Sequence, residues 1–450
     1  MAYRTWQMRR NTAALAAASN PVLAAGEPGF ETDTGHFKIG DGTRHWNDLP
    51  TFGPGNALEP VGIMWDTAST SPTLTRIDIN RDTINTNGAE FDRNPIYAGR
   101  WRCVRDRTTG AITYGTNARG DGLTLDGTAG DVLVRKPLFY CKAATDGDYR
   151  MWWVSPIAYP GFVAHPAFYQ RGGALNPVIY DGAYEAYGYL DGATFKLGSA
   201  SGKQPVTGAV AYTDLPESGR LTIDDAETYA GNIGAGFGCK NFWNYAADQL
   251  LMYIEYASFD IQTKLGKGVC DLASSSGFAG KNTGADSADT NIGTNGTGTG
   301  TGANGQTPVV WRGLENPYGN VWEFSIGANA YLDGSVRLAK RDGTGALAAT
   351  LAAGTYETAT GPTPANGYIA GLQDGDLEGL AFLPIAAAGS DATYLCDYWH
   401  APPGNGYILR AGGAWNSARS AGPGCRSADY APSDSGRGIG ARVEYIPGAV

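Results

Sequence analysis

The first sharp structural signal in the sequence is the run Trp311-Arg-Gly-Leu-Glu-Asn-Pro-Tyr-Gly-Asn-Val-Trp-Glu-Phe324. Asn316 and Pro317 are residue types that initiate a turn, and Gly319 supplies the backbone freedom that the turn requires. Residues 321–324 then alternate in character, as the two faces of a strand do. The run therefore predicts a tight turn that leads directly into a sheet.

A second motif follows further along the chain. It reads Ile408-Leu-Arg-Ala-Gly-Gly-Ala-Trp415 and continues to Cys425-Arg-Ser-Ala428 and Gly440-Ala-Arg-Val443. Short apolar strands are predicted at its two ends. The stretch between them, residues 416–439, is rich in Gly, Ser, Ala, Asp and Pro and has almost no large apolar side chain. It is therefore predicted to be a surface loop system held at both ends by strands.

One long helix is predicted, over residues 242 to about 265, ending at Gly266 and Gly268. Its apolar residues recur at the helical period and form a single stripe. They are Leu250, Tyr253, Ile254, Ala257 and Ile261. Because aromatic residues extend this stripe, we expect the helix to be a core element.

Residues 284–307 are of low complexity and alternate Gly and Thr with Asn and Asp. Such side chains cannot form a packed core, so an exposed, flexible loop is predicted. The alternative is that the Thr-Gly alternation pairs as strands between protomers.

The N-terminal segment, residues 1–54, reads as short strands joined by tight turns. Strands are predicted at 29–31 and 37–39, with glycine-containing turns at 33–35 and 40–42. A segment this small does not stabilise itself, so it is expected to depend on copies of itself. Gly53-Pro-Gly55 is a candidate hinge, residues 55–133 a β-rich linker or small β-domain, and residues 134–450 the main domain. Further strands are predicted at 100–104, 130–134 and 151–154.

Composition restricts the class of protein. The chain has 450 residues, of which 65 are Gly and 24 Pro, and 17% are charged. An apolar content of 42% argues against disorder, and the absence of heptads argues against a coiled coil. A net charge of −10 argues against nucleic acid as a partner.

Cysteine and histidine content argues against a metal centre. The six cysteines lie far apart without a C-x-x-C pair, which favours buried free thiols over one or two disulfides. The four histidines are isolated from one another, so no metal or other cofactor is expected. The Ala-rich run at 13–18 is interrupted by polar residues, and no other window is apolar enough for a membrane span. The chain is expected to be soluble, unprocessed and not inserted in a membrane.

Two parts of the sequence resemble known families. The segment NPVLAAGEPGFETDTGHFKIGDGTRHWNDLP, residues 20–50, resembles the N-terminal module of tailed-phage fibre and tropism proteins. The motifs NPYGNVWEF and LRAGGAWN…CRSA…IGARV resemble the C-type-lectin fold of the formylglycine-generating-enzyme type, over roughly residues 130–450. Together they resemble the variable receptor-binding proteins, or phage tropism determinants, of diversity-generating retroelements.

The resemblance implies a fold class and a function. The fold is expected to be α+β: a small β-prism-like trimerising module, a β-rich segment and a C-type-lectin-fold domain. The expected function is a phage or prophage tail-fibre tip protein of the virion, assembled in the host cytoplasm. Its partners would be a host cell-surface receptor, either protein or glycan, other virion tail proteins through the N-terminal module, and copies of itself in a homotrimer.

A receptor-binding surface is predicted at about residues 398–438. Its residue types are those of paratopes, with rigid Tyr and Trp beside adaptable polar groups. The predicted site residues are Tyr398, Trp399, His400, Asn405, Tyr407, Asn416, Ser417, Arg419, Ser420, Asp429, Tyr430, Ser433 and Ser435, with Asp434 beside them. Arg426 and Arg442 are interpreted as scaffold ion pairs, and Trp322 and Trp415 as core.

Two other functions remain open at this point. An enzyme of the formylglycine-generating type would need a cysteine pair near the C-terminus or a histidine iron site. Only Cys425 lies between Gly412 and Val443, and His400 is the only histidine after residue 165, so no catalysis is expected. The second is a purely structural fibre subunit. Glu315, Asn316, Asp429 and Asp434 are calcium-ligand candidates by residue type alone.

Overall fold

The computed structural model describes residues 9–33, 36–49, 51–52, 59–84, 88–208, 220–274, 278–284, 292–299, 304–360 and 365–448. The chain divides into two compact units, Met1–Glu59 and Pro60–Val450. Residues 60–133 belong to the second unit, because the strand Val61–Asp66 pairs with Tyr149–Ser155. The hinge candidate at 53–55 lies outside the described residues.

The first unit is a small sheet with one short helix. Its elements are β1 (Arg9–Asn11), α1 (Ala13–Ser19), β2 (Pro28–Glu31), β3 (Phe37–Ile39) and β4 (Thr51–Phe52). The sheet order is β1-β2-β3-β4, with β1 parallel to β2 and the other pairs antiparallel. The strands predicted at 29–31 and 37–39 are confirmed, and Gly42 has the positive φ of 82° that its turn requires. Of the turn predicted at 33–35, residues 34 and 35 lie outside the described residues.

The two faces of this sheet differ in exposure. The buried side packs on a core of four residues, Ala16, Leu23, Trp46 and Leu49. On the other side, Phe30 pairs with Phe37 and Pro28 pairs with Ile39. Phe37 and Ile39 are 37% and 45% exposed. Because paired residues project to the same side of a sheet, the four side chains form one apolar face.

The second unit is β-rich with few helices. Its strands are β5 (Val61–Asp66), β6 (Thr75–Ile77), β7 (Arg102–Arg105), β8 (Ile112–Tyr114), β9 (Asp131–Pro137), β10 (Tyr140–Asp146), β11 (Tyr149–Ser155), β12 (Val163–Ala164), β13 (Val178–Gly182), β14 (Tyr187–Asp191), β15 (Thr194–Gly198), β16 (Phe237–Cys239), β17 (Gly298–Thr299), β18 (Val309–Trp311), β19 (Leu314–Glu315), β20 (Trp322–Ala330), β21 (Ser335–Ala339), β22 (Tyr356–Thr360), β23 (Gly367–Tyr368), β24 (Gly371–Leu372), β25 (Pro384–Ala386), β26 (Tyr398–His400), β27 (Tyr407–Gly412), β28 (Gly422–Tyr430), β29 (Ile439–Gly440) and β30 (Val443–Tyr445). Its α-helices are α2 (Pro95–Ala98), α3 (Ile223–Gly231), α4 (Phe242–Tyr256), α5 (Ile261–Lys264) and α6 (Asp376–Ala381). None of the helices in the described part of the chain is long and apolar enough to span a membrane.

Three sheets carry most of the second unit. Their orders are β12-β10-β11-β5-β6, β16-β30-β13-β9-β7-β8 and β22-β21-β20-β27-β28-β26-β23, with β29 added on β20. The largest sheet contains both sequence motifs, because β20 continues the first and β27 begins the second. β20 and β27 pair antiparallel, so the two motifs are neighbours in space.

Helix α4 lies at the centre of the unit, and its residues from Phe242 to Ile254 are all buried. The prediction of a core helix is confirmed, but the prediction of one continuous helix to about residue 265 is wrong. Ala257 has a φ of 46°, which ends the helix, and Asp260 caps the separate helix α5. The apolar stripe continues across this break because Ile261 is also buried.

The prediction of an exposed loop over 284–307 is confirmed only in part where the structure describes the segment: Gly293, Thr294, Asn304 and Gln306 are exposed, but other residues are buried or paired in a strand. Gly298–Thr299 forms β17 and pairs with β18 of the same chain. Ile292 is 2% exposed and packs with Val310. The segment is therefore attached by one buried apolar side chain and by hydrogen bonds that Ala118, Arg119 and Gly313 donate to its carbonyl oxygens. Residues 285–291 and 300–303 lie outside the described residues.

The stretch 416–439 is not wholly a surface loop system. It contains β28, whose residues from Gly422 to Ala428 are buried. Small side chains allow this strand to approach α4 closely: a Cβ atom at Gly424 would collide with the Tyr253 hydroxyl on α4. The absence of large apolar residues in this stretch therefore reflects the close packing of β28 on α4. The loops are limited to the residues on either side of β28.

A cluster of buried charges joins α4 to the strands. The Asp248 carboxylate lies 3.0 Å from the Arg100 guanidinium, 2.9 Å from Lys136 Nζ and 2.5 Å from Lys240 Nζ. Asp181 lies 2.9 Å from Lys136 Nζ. All five side chains are at most 5% exposed. Buried charges of this kind persist only when they are paired, so the cluster fixes how α4 sits on β9 and β13.

Candidate functional site

The candidate site is built on β26, β27 and β28 of the largest sheet. β27 pairs with β28 antiparallel, and β26 pairs with β28 in parallel. The register of β27 and β28 shifts on both sides of Arg410. Gly412 and Gly413 follow with φ of 89° and 90°, values that favour glycine, and they turn the chain towards Trp415.

A cleft of about 430 Å³ lies where these strands meet β20 and β29. Its lining combines aromatic, charged and small side chains. The lining residues are Trp322, His400, Arg410, Ala414, Trp415, Asn416, Ser427, Asp429, Tyr430, Gly436, Arg437, Gly438 and Ile439. We call this the 410 cleft.

Arg410 organises the 410 cleft. Its guanidinium carbon lies 3.8 Å from the Tyr430 ring centre and 5.0 Å from the Trp322 ring centre. Its Nη2 donates to Ser427 Oγ at 2.6 Å and to the Asp429 carboxylate. The Arg410 side chain is only 4% exposed, whereas that of Asp429 is 40% exposed. The planar guanidinium therefore fixes two rings and one carboxylate from below the surface.

Two titratable groups in the cleft have shifted pKa values. Burial alone would raise the pKa of Asp429, but Arg410 and the Ser427 hydroxyl outweigh it and lower that pKa. Burial lowers the pKa of His400, which lies against the rings of Trp322 and Tyr398. At neutral pH the cleft therefore presents a carboxylate and a neutral imidazole.

The rim carries accessible hydrogen-bonding groups. Asn416 and Arg437 are exposed, and Arg437 Nη2 donates to Ser274 Oγ at 3.2 Å. The cleft therefore offers both donors and an acceptor beside half-buried aromatic rings. Such a surface can bind a ligand that pairs polar groups with an apolar face.

Four predicted site residues are brought together in the 410 cleft: His400, Asn416, Asp429 and Tyr430. Tyr398 is half-buried and its ring lies 4.7 Å from that of His400, at the margin of the cleft. The assignment of Trp399 is wrong, because its side chain is completely buried. Alternate residues of a strand face opposite sides, so Trp399 points into the core when its neighbours do not.

The other predicted site residues do not line the cleft. Arg419 forms an ion pair with Asp260 at 2.9 Å, which ties it to the start of α5. The Ser417 hydroxyl accepts from the Ala414 N–H at 2.9 Å and closes the turn after β27. Ser420, Asn405, Tyr407, Ser433 and Ser435 also lie outside the lining.

These residues have local partners. The Asn405 side chain accepts from the Leu332 N–H at 2.9 Å, and the Ser433 carbonyl accepts from Arg220 at 2.7 Å. The Asp434 carboxylate accepts from the Ala431 N–H at 2.8 Å. These bonds stabilise the segment after β28 and the end of β20.

Nine lining residues were not among the predicted site residues, and the large aromatic or charged side chains among them are Trp322, Trp415, Arg410 and Arg437. Trp322 was predicted to be core, but it is half-buried and faces the cleft. One signal for Arg410 was present: it is a charge inside an otherwise apolar strand, 407–412. Trp415 is 2% exposed, which agrees with the prediction that it belongs to the core, although its edge reaches the cleft.

The two scaffold arginines are both buried. Arg442 pairs with Glu323 at 2.7 Å, as predicted. Arg426 instead donates to the carbonyl oxygens of Pro423 and Cys425 and to Gln249. Its role in the scaffold is confirmed, but through hydrogen bonds.

Thiol and metal chemistry are not supported at the site. All six cysteines are free and buried. Burial raises the pKa of the Cys425 thiol, which makes it a poor nucleophile. Over the residues that the structure describes, no three His, Cys, Asp or Glu side chains converge to hold a metal ion. Glu315, one calcium candidate, instead accepts from the Gly284 N–H at 3.0 Å.

Comparison with known proteins first identifies a class for the N-terminal segment. Residues 7–44 match the family model described as "Major tropism determinant N-terminal domain". This confirms that the chain resembles a tropism determinant over its N-terminal segment. Curated proteins yield no match.

Solved structures then give particular proteins. The chain matches the "Major Tropism Determinant U1 Variant", with a TM-score of 0.25 and 14% identity over 98% of this chain and 99% of that chain. The "P3c Variant" and "I1 Variant" match with the same identity and coverage, at TM-scores of 0.24 and 0.25.

Proposed function

We propose that this chain is the receptor-binding protein at the tip of a phage or prophage tail fibre. In this proposal the virion carries the chain, and the 410 cleft with its margin binds a receptor on the host cell surface. The observation that carries the proposal is the match of residues 7–44 to a tropism-determinant domain. The cleft supports it, because it concentrates ring and polar groups on a rigid sheet.

The arrangement of the cleft suits recognition better than catalysis. Tyr430 and Trp322 offer contact area at a low cost in conformational entropy, and Arg410 holds both rings in place before a ligand arrives. An enzyme of the formylglycine-generating type would need a reactive thiol, whereas Cys425 is inaccessible. The C-type-lectin arrangement of β20 and β26 to β30 remains part of this proposal.

Replacing Tyr430 by alanine tests the proposal. Tyr430 is half-buried, lines the cleft and covers Arg410, so the variant should stay folded while retention on host cells falls by roughly tenfold or more. The measurement is the binding of labelled full-length chain to a panel of bacterial strains. Extending the substitution to Tyr398, at the margin of the cleft, should abolish adsorption.

Tyr149→Ala is the matched control, because Tyr149 is 44% exposed and lies on β11, outside the cleft lining. We expect this variant to bind like the parent. Equal binding by the Tyr149 and Tyr430 variants would remove the cleft from the proposal.

We further propose that the first unit assembles the fibre as a homotrimer and attaches it to other tail proteins. The face formed by Pro28, Phe30, Phe37 and Ile39 supports this, since the core cluster in the described part of the unit has only four residues. A module this small is stabilised when copies cover such a face. Trimerisation would also make attachment multivalent, so that weak contacts add up.

Substituting both Phe37 and Ile39 by serine should therefore dissociate the assembly. Both side chains are exposed in the isolated chain, so the change leaves the core of the unit intact. Sedimentation is expected to show trimers for the parent and monomers for the double variant. Leu332→Ser, at an exposed leucine of the second unit, should stay trimeric; a parent chain that sediments as a monomer would contradict the proposal.

Variability of the surface is the last part of the proposal. Ser, Tyr, Asp, Gly and Ala, the residue types that an adenine-containing Asn codon yields on mutation, make up 16 of the 23 residues from 416 to 438. A diversity-generating retroelement would leave a near-copy of the codons for residues 398–445, differing only at adenines, beside a reverse-transcriptase gene. The flanking DNA tests this directly.

A further inference from the structure

We propose that the 410 cleft takes a neutral, hydroxyl-rich ring, that is, a saccharide unit of the host-cell surface. This inference rests on the proposed receptor-binding function and names the chemical class of its ligand. It follows from the size of the cleft, the signs of its charges and the disposition of its rings.

The size and lining of the cleft favour a compact polar ligand. Its volume of about 430 Å³ falls in the range of small-ligand sites. A protein partner would anchor a bulky side chain in an apolar pocket at the centre of a wide contact. Here, among the residues that the structure describes, the apolar lining consists mainly of the rings of Trp322, Trp415 and Tyr430, with Ala414 and Ile439 beside them.

The charges of the cleft favour a ligand without net charge. The exposed carboxylate of Asp429 is an acceptor, while the exposed Arg437 and Asn416 are donors. Asp429 is paired with the buried Arg410, and the exposed Arg437 is the other charged group of the lining, so the cleft has no cluster of charges of one sign that would select a strongly charged ligand. A hydroxyl group can donate to the carboxylate and accept from the guanidinium or the amide, so a polyol satisfies both kinds of group at once.

The rings supply the apolar half of the site. Arg410 lies against Tyr430 and Trp322, and both rings remain half-buried, so part of each is left uncovered at the cleft. A sugar ring has an apolar C–H face that can pack on such a surface while its hydroxyls point sideways. The rings and the polar rim therefore recognise different sides of one ligand.

The experiment uses the full-length chain and bacterial cells that retain it. One sample of cells is oxidised with mild periodate, which cleaves vicinal diols, and another is digested with proteinase K. We expect periodate to lower retention by roughly tenfold or more and proteinase to leave it unchanged. Loss with proteinase but not with periodate would overturn the saccharide inference and leave the receptor-binding function standing. If no bacterial strain retained the chain, both the saccharide inference and the receptor-binding function would be overturned.

A competition experiment tests whether the ligand carries a net charge. Oligosaccharides released from the same cells by mild acid are separated into neutral and acidic fractions and added in solution. The neutral fraction should displace the parent chain, and displacement by the acidic fraction alone would overturn the inference.

A variant arm places the ligand in the cleft. Arg437→Ala should retain cells roughly fivefold less well, whereas the exposed Arg93→Ala control should match the parent. If the two variants retained cells equally well, the ligand would not bind in the 410 cleft, and the inference would be overturned.

Discussion

Arg410→Ala should weaken retention on host cells by about 100-fold, which corresponds to ~2.7 kcal/mol. The substitution removes the group that lies between Tyr430 and Trp322 and leaves the Asp429 carboxylate without its cation. Because Arg410 is almost fully buried, it acts by positioning the groups that a ligand touches. The measurement is a titration of labelled chain on cells, with thermal unfolding of the same preparations.

Arg410→Lys separates positioning from folding. Lysine keeps the positive charge and most of the side-chain volume, but it cannot stack between two rings while donating to Ser427 and Asp429. Compared with the alanine variant, we expect the lysine variant to recover more of the parent's unfolding temperature than of the parent's binding. Binding by the alanine variant within threefold of the parent would contradict the role given to Arg410.

The second large effect is expected at Asp248. Asp248→Ala should lower the free energy of unfolding of the second unit by about 3–5 kcal/mol, since it leaves three buried cations with Asp181 as their one remaining carboxylate. Arg100, Lys136 and Lys240 all lie within 3.0 Å of Asp248. Urea unfolding followed by tryptophan fluorescence measures the change.

The effect depends on pH in a known direction. Burial alone would raise the pKa of Asp248, but Lys136, Lys240 and Arg100 outweigh it and hold that pKa well below its usual range. A carboxyl with a lowered pKa stabilises the folded state above its unfolded pKa of about 4, and the contribution is lost as the pH falls further. The difference between parent and variant should therefore shrink in acid. Burial also lowers the pKa of Lys136, so this lysine holds its proton less firmly than usual.

Asp374→Ala is the control for this measurement. Asp374 pairs with Arg150 at 2.9 Å, but its side chain is 54% exposed, and exposed pairs contribute about 0–1 kcal/mol. A loss at Asp248 no larger than that at Asp374 would contradict the account of the buried cluster.

The sequence predicted correctly those turns and strands that depend on the residue types of a short segment. Asn316 and Gly319 both adopt positive φ, and β20 starts at Trp322, as the turn residues and the alternation after them indicate. β7 and β11 lie over the strands predicted at 100–104 and 151–154. In the first unit, both predicted strands are present because each is bounded by turn residues.

The other features of the fold and of the cleft depend on contacts between residues that are distant in the sequence. β28 was mistaken for loop because its glycines and serines look like turn residues until α4 is placed against them. Trp322 and Arg410 belong to the cleft only because β20 pairs with β27, a register that no local pattern encodes. Trp399 and Arg419 are residue types that are common in binding surfaces. However, Trp399 lies on the buried face of β26, and Arg419 forms an ion pair with Asp260.

Hydrogen exchange of the full-length chain, free and bound to envelopes of a strain that retains it, tests whether the 410 cleft binds the receptor. We expect slower exchange on binding in β26, β28 and residues 431–440, which surround the 410 cleft, and little change in β7 to β9. Protection that spares the segments around the cleft, and appears instead in the rest of the second unit or in the first unit, would contradict binding at the cleft.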